Sequence, residues 1–110
     1  MIQKEAGITA PIGFEAAAYA AGIKYQGRTD MALVYSKVPC KKAGTFTSNV
    51  VKAAPVLWDK AVVEQSADAQ AIIINSGIAN ACTGKQGMDC CKAQAKEAAA
   101  ALNIREDAVL

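Results

Sequence analysis

Ile72-Ile73-Ile74-Asn75-Ser76-Gly77-Ile78-Ala79-Asn80-Ala81-Cys82-Thr83-Gly84-Lys85-Gln86-Gly87 is the stretch on which the reading of the fold turns. Ala71 and the three isoleucines make an uninterrupted, largely β-branched run, the pattern of a strand buried on both faces. Asn75, Ser76 and Gly77 end it, because such residues bond their own backbone or accept positive φ. A second set of breakers follows at Asn80, Thr83, Gly84 and Gly87, and from Met88 the spacing turns helical. The segment therefore predicts a strand-to-helix loop rich in small residues. Such a loop brings backbone N–H groups and short side chains to one edge of a sheet, where a carboxylate, carbonyl or phosphate can be held. A tight connection between layers, with no ligand, fits the same residues. A nucleotide-binding P-loop does not: that motif needs four residues between its glycines and Ser or Thr after the Lys. Here six residues separate Gly77 from Gly84, and Gln86 follows Lys85.

Downstream, Met88, Cys91, Ala95, Ala98, Ala99 and Leu102 recur at helical spacing and form one apolar face, with Asp89 in the first turn and Lys92 and Lys96 toward solvent. Asn103-Ile104-Arg105-Glu106-Asp107 breaks this helix. Ala108-Val109-Leu110 then reads as the opening of a buried strand cut in mid-course, so the chain is expected to be a portion of something longer. A self-standing domain over residues 1–110 with a docked terminal strand is the alternative.

Upstream, the run from Phe14 to Lys24 reads as a strand despite its alanines, because Gly13 and Gly22 bracket it. Gln26-Gly27-Arg28-Thr29-Asp30 reads as a hairpin turn, and Met31-Ala32-Leu33-Val34-Tyr35-Ser36 as a strand ending near Pro39. Thr45-Phe46-Thr47-Ser48 is expected to be a short strand, and Pro55-Val56-Leu57-Trp58 an extended segment with Pro at its edge. Asp59 is the expected N-cap of a short helix running to Gln65.

Composition narrows the function classes. At 110 residues the chain suits one small domain or part of a larger one. Much of its apolar content is alanine, with only six aromatic residues, so such a core is more secure against further elements. The net charge of +2 is small and scattered, which argues against nucleic acid as a partner. No apolar run is long enough to cross a membrane, and the first residues lack the apolar core of a signal peptide, so a cytoplasmic protein is expected. Cys40, Cys82, Cys90 and Cys91 form no CxxC, and there is no histidine, so no metal site is expected and the thiols read as reduced and structural. The missing histidine also removes the commonest general base. A nucleophile would need another activator, such as a free α-amine or a Lys.

Nearly end to end, the chain resembles the ornithine acetyltransferase family of arginine biosynthesis. The strongest part is Asn75-Ser76-Gly77-Ile78-Ala79-Asn80-Ala81-Cys82-Thr83-Gly84-Lys85-Gln86-Gly87, which is similar to the family's NSGNANACTGxQG loop and departs from it at Ile78. Gly7-Ile8-Thr9-Ala10-Pro11-Ile12-Gly13-Phe14, Ala20-Ala21-Gly22-Ile23-Lys24, Ala43-Gly44-Thr45-Phe46-Thr47-Ser48-Asn49 and Val51-Lys52-Ala53-Ala54-Pro55-Val56 support it.

The resemblance implies an α/β (α+β) fold, a layered α/β/β/α sandwich of which this chain is an N-terminal portion. It implies transfer of an acetyl group from N-acetylornithine to glutamate, with acetyl-CoA a further donor in bifunctional members, and no cofactor. The nucleophile would be a threonine exposed by self-cleavage as the N-terminus of a β chain, using its own α-amine as base. That threonine and the family's Thr-Gly oxyanion pair lie beyond Leu110, so no catalytic residue is assigned here. The implied partners are the rest of the α chain and the β chain, in an α2β2 heterotetramer. Asn75, Asn80 and Thr83 are the candidate substrate-binding residues, against the plainer reading that they only shape the turn. A non-catalytic module gripping a small anion in the loop of residues 75–87 is the alternative function, and a thiol-based redox protein a third.

Overall fold

The computed structural model describes residues 7–110, so the reading of the chain's first six residues falls outside it. Three strands, β1 (Phe14–Tyr19), β2 (Met31–Cys40) and β3 (Ala69–Asn75), form one antiparallel sheet in the order β1-β2-β3. Two helices, α1 (Ala54–Gln65) and α2 (Gly84–Leu102), complete the layer structure, and a short 3-10 turn spans Glu106–Ala108.

The register places Leu33 opposite Ile73 and Tyr35 opposite Ala71, so these four share one face of the sheet. Against that face α2 lays Ala95 and Ala99, which with Ala71 and Val109 form a core exposed by no more than 2%. Alanine on both sides lets helix and sheet approach closely, and the larger Leu33, Tyr35, Trp58, Ile73, Leu102 and Ile104 close the rim. Left-handed Asn103 caps α2, its N–H bonded to the Ala99 and Ala100 carbonyls. After the 3-10 turn the chain returns to the sheet: Val109 bridges Ala71 in parallel, the Leu110 N–H donates to Ala71 O at 2.9 Å, and the Ile73 N–H donates to Leu110 O at 2.7 Å. Trp58 Nε1 donates to Val109 O at 2.9 Å and ties α1 to this last segment.

The α+β class, β1, β2, β3 and α2 agree with the expectations, and several details differ. β3 is buried on one face only: Ile72 is 42% and Ile74 50% exposed, on the side away from the helices. Thr45-Phe46-Thr47-Ser48 is irregular, because β-forming residues need a strand beside them and none runs there. Pro55 begins a helix instead of edging a strand. Its missing N–H costs nothing in the first helical turn, so α1 starts at Ala54, with Asp59 inside it and no side-chain cap at Ala53. The helix α2 starts at Gly84, a turn before Met88, which puts Asp89 beyond the first turn. β2 runs on through Pro39 because an irregularity between Tyr35 and Cys40 removes the need for a regular ladder donor.

The β1–β2 connection is longer than a hairpin turn, spanning residues 20–30 with Gly22 and Gly27 at positive φ. Buried Asp30 holds it: Oδ1 accepts the Ala21 N–H and Oδ2 the Ile23 N–H, each at 2.7 Å. The Ile23 N–H is the main reason the Asp30 carboxyl sits below its ordinary value, with the Ala21 N–H adding to it against the opposing pull of partial burial.

Candidate functional site

The end of β3 supplies the first group. Asn75 is the last residue of the strand, opposite Met31, and the next N–H, that of Ser76, donates to Asp30 O at 2.9 Å. Gly77 takes φ +96° against Lys24; a Cβ built there would meet the Lys24 Cβ at 3.4 Å. The chain then folds back on itself. Asn80 Nδ2 donates to Asn75 Oδ1 at 3.0 Å, and Thr83 Oγ1 donates to Asn80 O at 3.2 Å. Cys82 reaches φ +57° without being glycine, a conformation that costs an ordinary residue of order 1–3 kcal/mol.

Gly87 completes the turn. Its N–H donates to Thr83 O at 3.2 Å, and a Cβ there would overlap the Thr83 hydroxyl and stand 2.6 Å from the Thr83 Cβ. Glycine inside the first turns of α2 is what lets Thr83 fold over the helix.

Asn75, Asn80 and Thr83 thus line one cleft of about 480 Å³, between the loop, the start of α1 at Ala54 and Pro55, and α2 at Cys90 and Gln94. A smaller adjoining cleft of about 260 Å³ shares Asn75, Asn80 and Cys91 and adds Trp58 and Asp59. Burial raises the Asp59 carboxyl above its ordinary value. Burial also raises the Cys91 thiol, with the Asp59 carboxylate and Cys90 adding to the effect. A thiol pushed upward is a poor nucleophile, since the thiolate is the reactive form. Among the described residues no group of three Cys, Asp or Glu side chains is placed to hold a metal ion, and no helix is long and apolar enough to cross a membrane.

The site therefore offers amide and hydroxyl groups suited to a carbonyl or carboxylate. Sequence reasoning singled out the two asparagines and the threonine, and all three meet in the one cleft. Asp59 it read as a helix cap; only the earlier start of α1, signalled by Pro55, would have turned that residue toward the cleft.

A sheet with helices packed on one face, apolar on the other, and a polar strand-to-helix loop at its edge defines part of a layered α/β protein with a polar cleft beside that loop. The profile of the ArgJ family matches residues 15–110, and the chain belongs to that family. It is 52% identical over 101 residues to the arginine biosynthesis bifunctional protein ArgJ of Mycolicibacterium paratuberculosis, a match covering 91% of this chain and 25% of the relative. The ArgJ protein of Gloeobacter violaceus is 45% identical over 106 residues, covering 96% of this chain and 26% of its own. The chain thus spans about a quarter of the length of the curated relatives it matches. Among solved structures, ornithine acetyltransferase from Mycobacterium tuberculosis, complexed with ornithine, superposes with a TM-score of 0.87 at 48% identity, covering 94% of this chain and 56% of that one. The ArgJ protein of Bacillus halodurans gives 0.82 at 37% identity, covering 89% and 51%.

Proposed function

We propose that this chain is the N-terminal part of the α subunit of an acetyltransferase of arginine biosynthesis. It moves an acetyl group from N-acetylornithine, or from acetyl-CoA, to glutamate in the cytoplasm. The acyl-accepting nucleophile is an N-terminal threonine on a β chain released by self-cleavage, and the working enzyme is an α2β2 heterotetramer. Residues 7–110 supply sheet, helical cover and one wall of the substrate pocket, with Asn75, Asn80 and Thr83 at that wall.

The observation that carries this reading is the parallel pairing at the end of the described chain. Leu110 is bonded between Ala71 and Ile73, so Val109 and Leu110 lie parallel to β3, the strand that ends at Asn75. Val109 and Leu110 line the smaller cleft together with Asn75 and Asn80, which sets this terminal segment beside the proposed pocket wall. Three further facts support the reading: membership of the ArgJ family, the names its relatives bear, and a cleft where Asn75, Asn80 and Thr83 meet.

The test is acetyl transfer from N-acetylornithine to glutamate by the full-length polypeptide. Asn75→Ala and Asn80→Ala are each expected to lower kcat/KM about tenfold or more, the equivalent of one lost hydrogen bond of about 1.4 kcal/mol. A full-length protein that binds glutamate and transfers no acetyl group would favour the anion-binding module instead.

A further inference from the structure

The connection of residues 20–30 carries a group of charges that the cleft described above does not use. Lys24 Nζ stands 5.2 Å from the centre of the Tyr25 ring, and Arg28 Cζ stands 5.4 Å from the same centre. Among the described residues neither cation is paired with a carboxylate. Asp30, the nearest acid in sequence, makes no ion pair with either, and its two oxygens accept the Ala21 and Ile23 N–H groups. The same two bonds, with Gly22 and Gly27 in left-handed conformations, fix the path of the loop that presents Lys24 and Arg28. The loop is also joined to the candidate site: Ser76 donates to Asp30 O, and Gly77 packs against Lys24.

Two cations held against one ring with no carboxylate partner leave a local positive charge, which an anion bound beside them would compensate. The ring restrains both long side chains in advance, which lowers the ordering cost of binding. We propose that Lys24, Arg28 and Tyr25 form an oxyanion-binding site on the loop of residues 20–30, next to the turn at Ser76 and Gly77 that leads from Asn75, taking the carboxylate or phosphate group of a small ligand. The identity of that ligand as acetyl acceptor or donor rests on the function proposed above; the binding of an oxyanion does not. Glutamate would present a carboxylate, and acetyl-CoA would present phosphates.

The experiment is calorimetric titration of the full-length polypeptide at low ionic strength, with glutamate in one arm and inorganic pyrophosphate in the other. Saturable binding is expected in at least one arm, weakened about tenfold or more in the Lys24→Gln/Arg28→Gln double variant. The control pair Lys92→Gln/Lys96→Gln removes equal charge from the exposed side of α2 and is expected to change binding less than twofold. Binding lost in the glutamate arm identifies a carboxylate site, and in the pyrophosphate arm a phosphate site. Absence of saturable binding in the parent, or equal weakening by the control pair, overturns the proposal, as does a folded double variant that binds as the parent does. Should the double variant fail to fold, Arg28→Gln alone is expected to weaken binding about threefold, and no change there overturns it. Acetyl transfer assayed on the same samples separates the two readings: a parent that binds the anion in a Lys24- and Arg28-dependent way but transfers nothing sinks the proposed function alone.

Discussion

Asp30 shows how much of the site depends on one carboxylate. Its oxygens hold residues 20–30 and its carbonyl holds Ser76, so the basic loop and the polar loop share a single anchor. Because the folded state depresses this carboxyl below its ordinary 3.8, it contributes stability that is fully present above the unfolded value and lost as pH falls through the folded one. Denaturant unfolding should show Asp30→Asn less stable than the parent at pH 7, with the difference shrinking from about pH 5 downward. A gap that persisted unchanged in acid would contradict the role. Gly87→Ala tests the other side of the cleft. Helix propensity alone predicts a gain of about 1 kcal/mol, whereas the overlap with Thr83 predicts a net loss of about 1–3 kcal/mol, which a urea midpoint will distinguish. Asn75, Asn80 and Thr83 were legible in the sequence because their residue types mark both the turn and its polar content. Asp30 was not, since its partners lie on the far side of a loop that its sequence neighbours describe only as a turn.

At the scale of elements, α2 was legible because its apolar face keeps helical spacing from Met88 to Leu102, about four turns, and β3 because isoleucines run unbroken to Asn75. What escaped were boundaries and partners. Pro55 serves a strand edge and a first helical turn equally well, and only packing decides between them. Thr45-Phe46-Thr47-Ser48 has strand residues without a neighbouring strand, a matter that local preference cannot foresee. Ala53, at the cap position before α1, supplies no side-chain cap, although its backbone is already extended as a cap requires. Ala53→Ser should therefore stabilise the protein by about 1 kcal/mol in denaturant unfolding. No gain would mean that the first N–H groups of α1 already have partners.

For the whole molecule, the sheet is finished on one side only. Ala16, Val34 and Ile72 lie in one row across the face opposite the helices, and Ala18, Ala32 and Ile74 in the next, with both isoleucines strongly exposed. On the helical side too, the cover stops short of β1, leaving an apolar groove of about 480 Å³ bounded by Tyr19, Met31, Leu33 and Ala98. Apolar surface on this scale marks a place where further protein packs. The α/β/β/α sandwich expected from the resemblance would set a second sheet against the open face, and no pattern within these residues could have specified that layer. The central claim, that the chain is the scaffold part of a self-cleaving threonine acetyltransferase, is tested most directly by the intact masses of all polypeptides in the full-length product under denaturing conditions, with the N-termini sequenced. The account predicts two chains, the second beginning with threonine and gaining one acetyl group when N-acetylornithine is added without acceptor. A single uncleaved chain that accepts no acetyl group would contradict it.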